Sequence, residues 1–156
     1  MIAEFAVTVV YTQIVVFDPS ITQTELEWSE DHIAQGFTWM PGNVAFGAPD
    51  HDGSCLLQVD TTEQFQIDPQ ALWAVCVPFD VASTPLSIGS IFNPQTVSIP
   101  AGKYNLVFEA LPGSASLDVE YAFVFRLNFI KSDSQKFAII KQGNMLTTDK
   151  VLRKGP

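Results

Sequence analysis

The sequence predicts an all-β fold: a two-layer antiparallel β-sandwich of about nine strands with one short helix near residues 29–36. Period-2 alternation is the first sign. In VEYAFVFRLNFI, residues Tyr121, Phe123, Phe125, Leu127 and Phe129 fall on one face, while Ala122, Val124, Arg126 and Asn128 fall on the other. The second is the even spacing of such runs between turn-rich stretches, APDHDG, FNPQ, PAGK and LPGSAS. Hydrophobic residues make up 47% of the chain and charged residues 16%, with twelve Phe, so a core can form without disulfide or metal.

Taken in order, the opening MIAEFAVTVVYTQIVVF reads as one strand, with Phe5, Val7, Val9, Tyr11, Val15 and Phe17 on a common face. Glu4, Thr8, Thr12 and Gln13 interrupt it too often for a membrane span, and no membrane insertion is expected. LEWSEDHIAQGF carries the helix signals. Ser29 is a good N-cap, Glu30 and Asp31 sit where the helix dipole favours acids, and Gly36 suits a left-handed C′ position. Trp28 and Ile33 occupy the places of a hydrophobic staple, and packing of Trp28, Ile33 and Phe37 on the sandwich would hold so short a helix. The remaining strand-like runs are NVAFG, SCLLQV, ALWAVCVPFDV, PLSIGSIF, TVSIP, KYNLVFEAL and KFAIIKQ, and VEYAFVFRLNFI completes the set. Residues 1–142 therefore form one domain. Residues 143–156 lose the alternation, carry much of the late positive charge, and are expected to form a C-terminal tail that frays.

Charge is distributed unevenly. The formal net charge is −9, yet residues 1–102 contain no Lys or Arg against twelve acids, and all eight bases follow from Lys103 onward beside five acids. Phosphate binding needs clustered Lys or Arg, so direct nucleic-acid binding is disfavoured and a basic protein partner is a better match. Solubilisation of an apolar-rich domain accounts for the same acids equally well. Cys55 and Cys76 lie inside apolar runs and read as small buried hydrophobes. With no export signal at the N-terminus, a reducing, cytoplasmic location is expected.

Chemistry-bearing motifs are sparse. There are two histidines, His32 and His51. The first reads as structural; the second stands between Asp50 and Asp52 in a turn whose carboxylates read as solvated. No nucleophile elbow, phosphate-cradling glycine loop, dinucleotide fingerprint or CxxC pair is present, so no catalytic residue, metal ligand or cofactor is assigned. Trp73 lies in an apolar run and reads as core, whereas Trp28 and Trp39 leave a binding role open, Trp28 being surrounded by Glu25, Glu27, Glu30 and Asp31.

The blocks YTQIVVFDPS, LEWSEDHIAQGFTWMPGNVAFG, VPFDV and SIPAGKYNLVFEALPG resemble, in order and spacing, the competence protein J family, whose members inhibit the nuclease of bacterial DNA uptake. W-S-E-D-x-I-x-x-G-F is the most specific part, and the blocks cover most of residues 9–125. The resemblance implies a non-catalytic cytoplasmic protein that binds and inhibits a partner nuclease, peripheral to a membrane-associated complex at most. It transfers no inhibitory residues. Contact residues are expected from charge and exposure instead: Glu25, Glu27, Trp28, Glu30, Asp31, Trp39, Asp50 and Asp52 on an acidic, Trp-anchored surface facing a basic nuclease. The alternative is a β-sandwich module for carbohydrate or another small ligand. Exposed edge strands would permit a homo-oligomer.

Overall fold

The computed structural model describes residues 1–9, 12–21, 26–49, 53–82, 85–116, 119–143 and 145–156, with the side chains of 114–116 and 119 left aside. Among them are eleven strands and one helix: β1 (Ala3–Val7), β2 (Gln13–Phe17), α1 (Glu30–Gln35), β3 (Phe37–Met40), β4 (Asn43–Gly47), β5 (Cys55–Thr62), β6 (Trp73–Val81), β7 (Leu86–Ser90), β8 (Asn93–Val97), β9 (Gly102–Ser116), β10 (Val119–Lys131) and β11 (Ala138–Lys141). They form a β-sandwich, one sheet in the order β1-β5-β10-β9-β6-β11 and the other β3-β4-β2-β7-β8. All pairs are antiparallel except β5 with β10, which run parallel.

The opening run is two strands, not one. β1 joins the six-stranded sheet through β5, and β2 joins the five-stranded sheet between β4 and β7. The inward face also changes phase. Val7 is buried in β1, whereas Ile14 and Val16 are the fully buried, core-facing residues of β2. Thr12, with φ at 52°, lies in the left-handed region at the junction, where a change of strand direction breaks a strict two-residue period. A face shared by Phe5, Val7, Val15 and Phe17 therefore does not exist. Most other strand runs match, but β8 begins earlier than TVSIP, inside the stretch FNPQ that reads as a turn, β9 continues through LPGSAS, and the strand missed is β3, FTWM, too short to show alternation.

The core forms where the inner faces meet. Phe46 of one sheet stacks on Phe108 of the other at 4.7 Å, Phe108 on Phe125 at 5.4 Å, and Phe79 and Tyr104 meet Phe129 edge-on at 6.1 and 5.7 Å. Each buried ring of this size contributes about 1.5–3 kcal/mol by leaving water. Cys55 is buried on the inner face and Cys76 on the outer, both as free thiols. On the outer face, a polar row crosses the six-stranded sheet. Glu4 accepts from Gln58 at 2.8 Å, and Arg126 donates to Gln58 at 2.9 Å and to Asp68 at 2.8 Å. The buried carboxylate of Glu109 takes the amide of Asn128 and the backbone N–H of Asp68, both at 3.0 Å. The polar face of VEYAFVFRLNFI thus holds the 68–70 turn onto the sheet.

The described residues after 142 pack against the sandwich and do not hang as a free tail. Leu146 is buried and the N–H of Thr147 donates to the carbonyl of Ala34 at 3.0 Å. Further on, the fully buried Gln35 side chain accepts from the backbone of Leu152 and Arg153 at 2.9 Å each and donates to Arg153 O at 2.8 Å. The segment is a strap that satisfies polar groups of α1 which a single short helix leaves open. No helix among the described residues is long and apolar enough to cross a membrane.

Candidate functional site

The helix α1 and the groove beside it bring together more of the predicted contact residues than any other part of the fold. Ser29 caps the helix: its hydroxyl accepts from the His32 N–H, while His32 Nδ1 accepts from the Ser29 N–H at 3.0 Å. A capping box with histidine at the third position results, where glutamate or glutamine is usual. The other ring nitrogen, Nε2, lies 2.8 Å from the carbonyl oxygen of Gly155, so His32 is buried between helix and strap. Gly36 ends the helix with φ at 84°, and its N–H returns to His32 O.

This capping turns one helix face to the strap and the other outward. Gln35 and His32 face the strap. Glu30, Asp31 and Ile33 are exposed, Ile33 at 60%. Ile33 thus contributes to a surface, not to a closed staple under the sandwich. Its neighbour Trp28 is half-buried, with its indole N–H donating to Gln13 Oε1 at 3.2 Å.

Between Trp28 and Ile33 on one side and Met145 and Leu146 of the strap on the other lies a cavity of about 290 Å³, completed by Thr12, Gly36, Gly47, Ala48 and Trp73. The lining is mostly apolar. Met145 is 37% exposed at its mouth. Neither Trp73 nor the two strap residues were expected at a site. Trp73 reads as core in the sequence, and the strap reaches the helix only through distant hydrogen bonds.

The predicted contact residues separate into three groups. Glu27, Trp28, Glu30 and Asp31 come together around the start of α1, all but Trp28 exposed. Glu27 and Glu30 make no ion pair among the described residues, whereas Asp31 lies 4.0 Å from Arg153 of the strap. Trp39 is held elsewhere: its N–H donates to Pro78 O at 2.7 Å across to the other sheet, and its ring meets Phe137 edge-on at 4.9 Å. It serves packing between the sheets. Glu25, Asp50 and Asp52, with His51, lie outside the described residues. Among those described, no three His, Cys, Asp or Glu side chains stand close enough to hold a metal ion.

The family model for competence protein J matches residues 6–130, four-fifths of the chain. A solved structure with the same fold is that of ComJ from Bacillus subtilis, an inhibitor of the DNA-degrading activity of NucA. It is 20% identical with a TM-score of 0.67, covering 83% of this chain and 96% of that one. No curated protein sequence matches the chain. The matched stretch includes α1, Trp28 and both glycines of the groove, and it stops before the strap.

Proposed function

Because the chain belongs to the competence protein J family, we propose that it is a non-catalytic binding protein that inhibits a partner DNA nuclease by docking an acidic, Trp28-anchored surface on it. The observation that carries this reading is the pairing of a mostly apolar groove with the exposed carboxylates of Glu27 and Glu30, which make no ion pair among the described residues. A nuclease holds DNA through phosphate contacts and so presents Lys and Arg around its cleft. An acidic surface is drawn to that cleft and competes with DNA for it. The solved B. subtilis relative, as an inhibitor of a DNA-degrading activity, supports the same reading.

The site is assigned to Glu27, Trp28, Glu30 and Asp31, with Glu25, Asp50 and Asp52 as further acids. On this reading the protein works in the cytoplasm, beside the machinery of DNA uptake. A saccharide would require several polar groups around a stacking ring, whereas the side chains lining the groove offer Thr12 and the indole N–H groups of Trp28 and Trp73. The test is inhibition of DNA cleavage by the cognate nuclease, titrated with this protein at low and at moderate salt. Stoichiometric inhibition that weakens with salt is expected. Undiminished cleavage at a large excess of the protein would refute the proposal.

A further inference from the structure

Beyond the acidic surface, we propose that the groove beside α1 is a receptacle for one apolar side chain projecting from a basic partner surface, so that Trp28 lines a socket and does not itself insert. This rests on the inhibitor reading for the partner's identity.

Its lining is mostly apolar and its volume, about 290 Å³, is room for one large side chain, the scale of a buried interface anchor. Two lining residues remain exposed in a way core packing does not require: Ile33 at 60% and Met145 at 37%. Gly47 explains why the space is open. Its φ lies outside the positive range, and a Cβ there would meet Gly36 O at 3.6 Å and the Trp28 ring at 3.8 Å, both ordinary contact distances. The backbone at 47 does not demand glycine. The missing side chain leaves the groove unfilled beside Trp28.

Charge selects the occupant. Glu30 stands one helical turn before Ile33 on the same side of α1, and Glu27 adjoins Trp28, so exposed carboxylates flank the groove. Of the strap's cations, Arg153 stands beside Asp31 at 4.0 Å and Lys154 over the Phe137 ring at 5.7 Å, and neither pairs with Glu27 or Glu30. An apolar side chain carried on a basic surface satisfies both features. A second copy of this acidic chain, or an uncharged apolar molecule, satisfies only the apolar one.

The test uses the full chain labelled with ¹⁵N and two synthetic peptides, a Lys-rich peptide with one central Phe and the same peptide with Ser at that place. The readout is the indole N–H signal of Trp28, assigned with Trp28→Phe. The Phe peptide is expected to shift that signal. Gly47→Val, which fills the groove, and Ile33→Ser, which alters an exposed side chain, should each weaken it about tenfold. Phe92→Ser, at an exposed turn away from the groove, should leave it unchanged. Equal binding of the two peptides would overturn the proposal. So would equal losses from Ile33→Ser and Phe92→Ser, or a Trp28 shift that follows protein concentration alone.

Nuclease assays on the same variants separate the two readings. Peptide discrimination without inhibition of any nuclease would leave the socket standing and remove the inhibitor reading. Inhibition that Gly47→Val and Ile33→Ser leave intact would remove the socket from the inhibitory interface.

Discussion

At position 32 the two ring nitrogens face partners that leave a single arrangement. A backbone N–H can only donate, so Nδ1, 3.0 Å from the Ser29 N–H, must be the acceptor. Nε2 then carries the proton and donates to Gly155 O at 2.8 Å. His32 is thus an N-cap partner and a fastener for the strap at once. Replacing it with alanine should cost about 2–3 kcal/mol, a lost cap contact plus a buried carbonyl left without its donor. His32→Gln should recover the cap share alone, and urea unfolding of both variants checks the difference. Cys76 offers a second prediction. Burial pushes its thiol up to about 11 from 9.0, with Lys136 pulling weakly the other way. Since the unfolded thiol ionises first, the stability this group contributes is complete below pH 9 and is lost as pH rises towards about 11. Stability measured across that window should fall more steeply in the parent chain than in Cys76→Ala, by an amount on the order of 2 kcal/mol.

Among the elements, α1 shows how a helix far too short to persist in water is held. Its N-terminus is capped by Ser29, its C-terminus turned by Gly36, and its inner face joined to the strap by Gln35. Gly36 is required twice over, by a φ of 84° and because a Cβ there would run into the Leu146 side chain. Gly36→Ala should therefore destabilise by about 2–4 kcal/mol and loosen the strap, seen as faster amide exchange at Leu152 and Arg153. Local signals made much of this legible. The caps, the strand runs from NVAFG to VEYAFVFRLNFI, and the acids around Trp28 could all be read from neighbours in the chain. What could not be read depends on partners far away in sequence. The split of the opening run falls by Thr12, whose backbone takes the left-handed region, in a stretch where both faces are apolar enough to hide the change of phase. The strap looks like a tail because its apolar residues, Leu146 and Val151, have no period. Their order comes from Gln35 and His32, more than a hundred residues earlier. The groove was half legible: Trp28 was read as a candidate anchor, while Met145, Leu146 and Trp73 needed the fold to bring them to it.

On the scale of the whole molecule, folding redistributes a charge that the chain keeps segregated. The acids of residues 1–102 and the bases from Lys103 onward meet in the polar row through Arg126 and Asp68, and again where Arg153 approaches Asp31. These contacts consume cations that would otherwise screen the acidic side, and Glu27 and Glu30 have no ion pair among the described residues. A net charge of −9 then acts on a basic partner in two ways. The overall field raises the encounter rate from any direction, and the local carboxylates orient the groove towards it. The two separate by mutation. Glu27→Gln, Glu30→Gln and Asp31→Asn together remove three of the seventeen acids, a modest part of the overall field but most of the described local cluster. If local orientation dominates, the triple variant should associate with its nuclease about tenfold more slowly at low salt, with a flatter salt dependence that meets the parent's near 0.5 M, roughly where screening falls inside one side-chain length. Three substitutions at exposed acids far from the groove, Glu4→Gln, Glu63→Gln and Asp80→Asn, change the net charge equally and should slow association much less. Stopped-flow association of both triple variants across a salt series decides the point, because matched net charge leaves position as the variable between them.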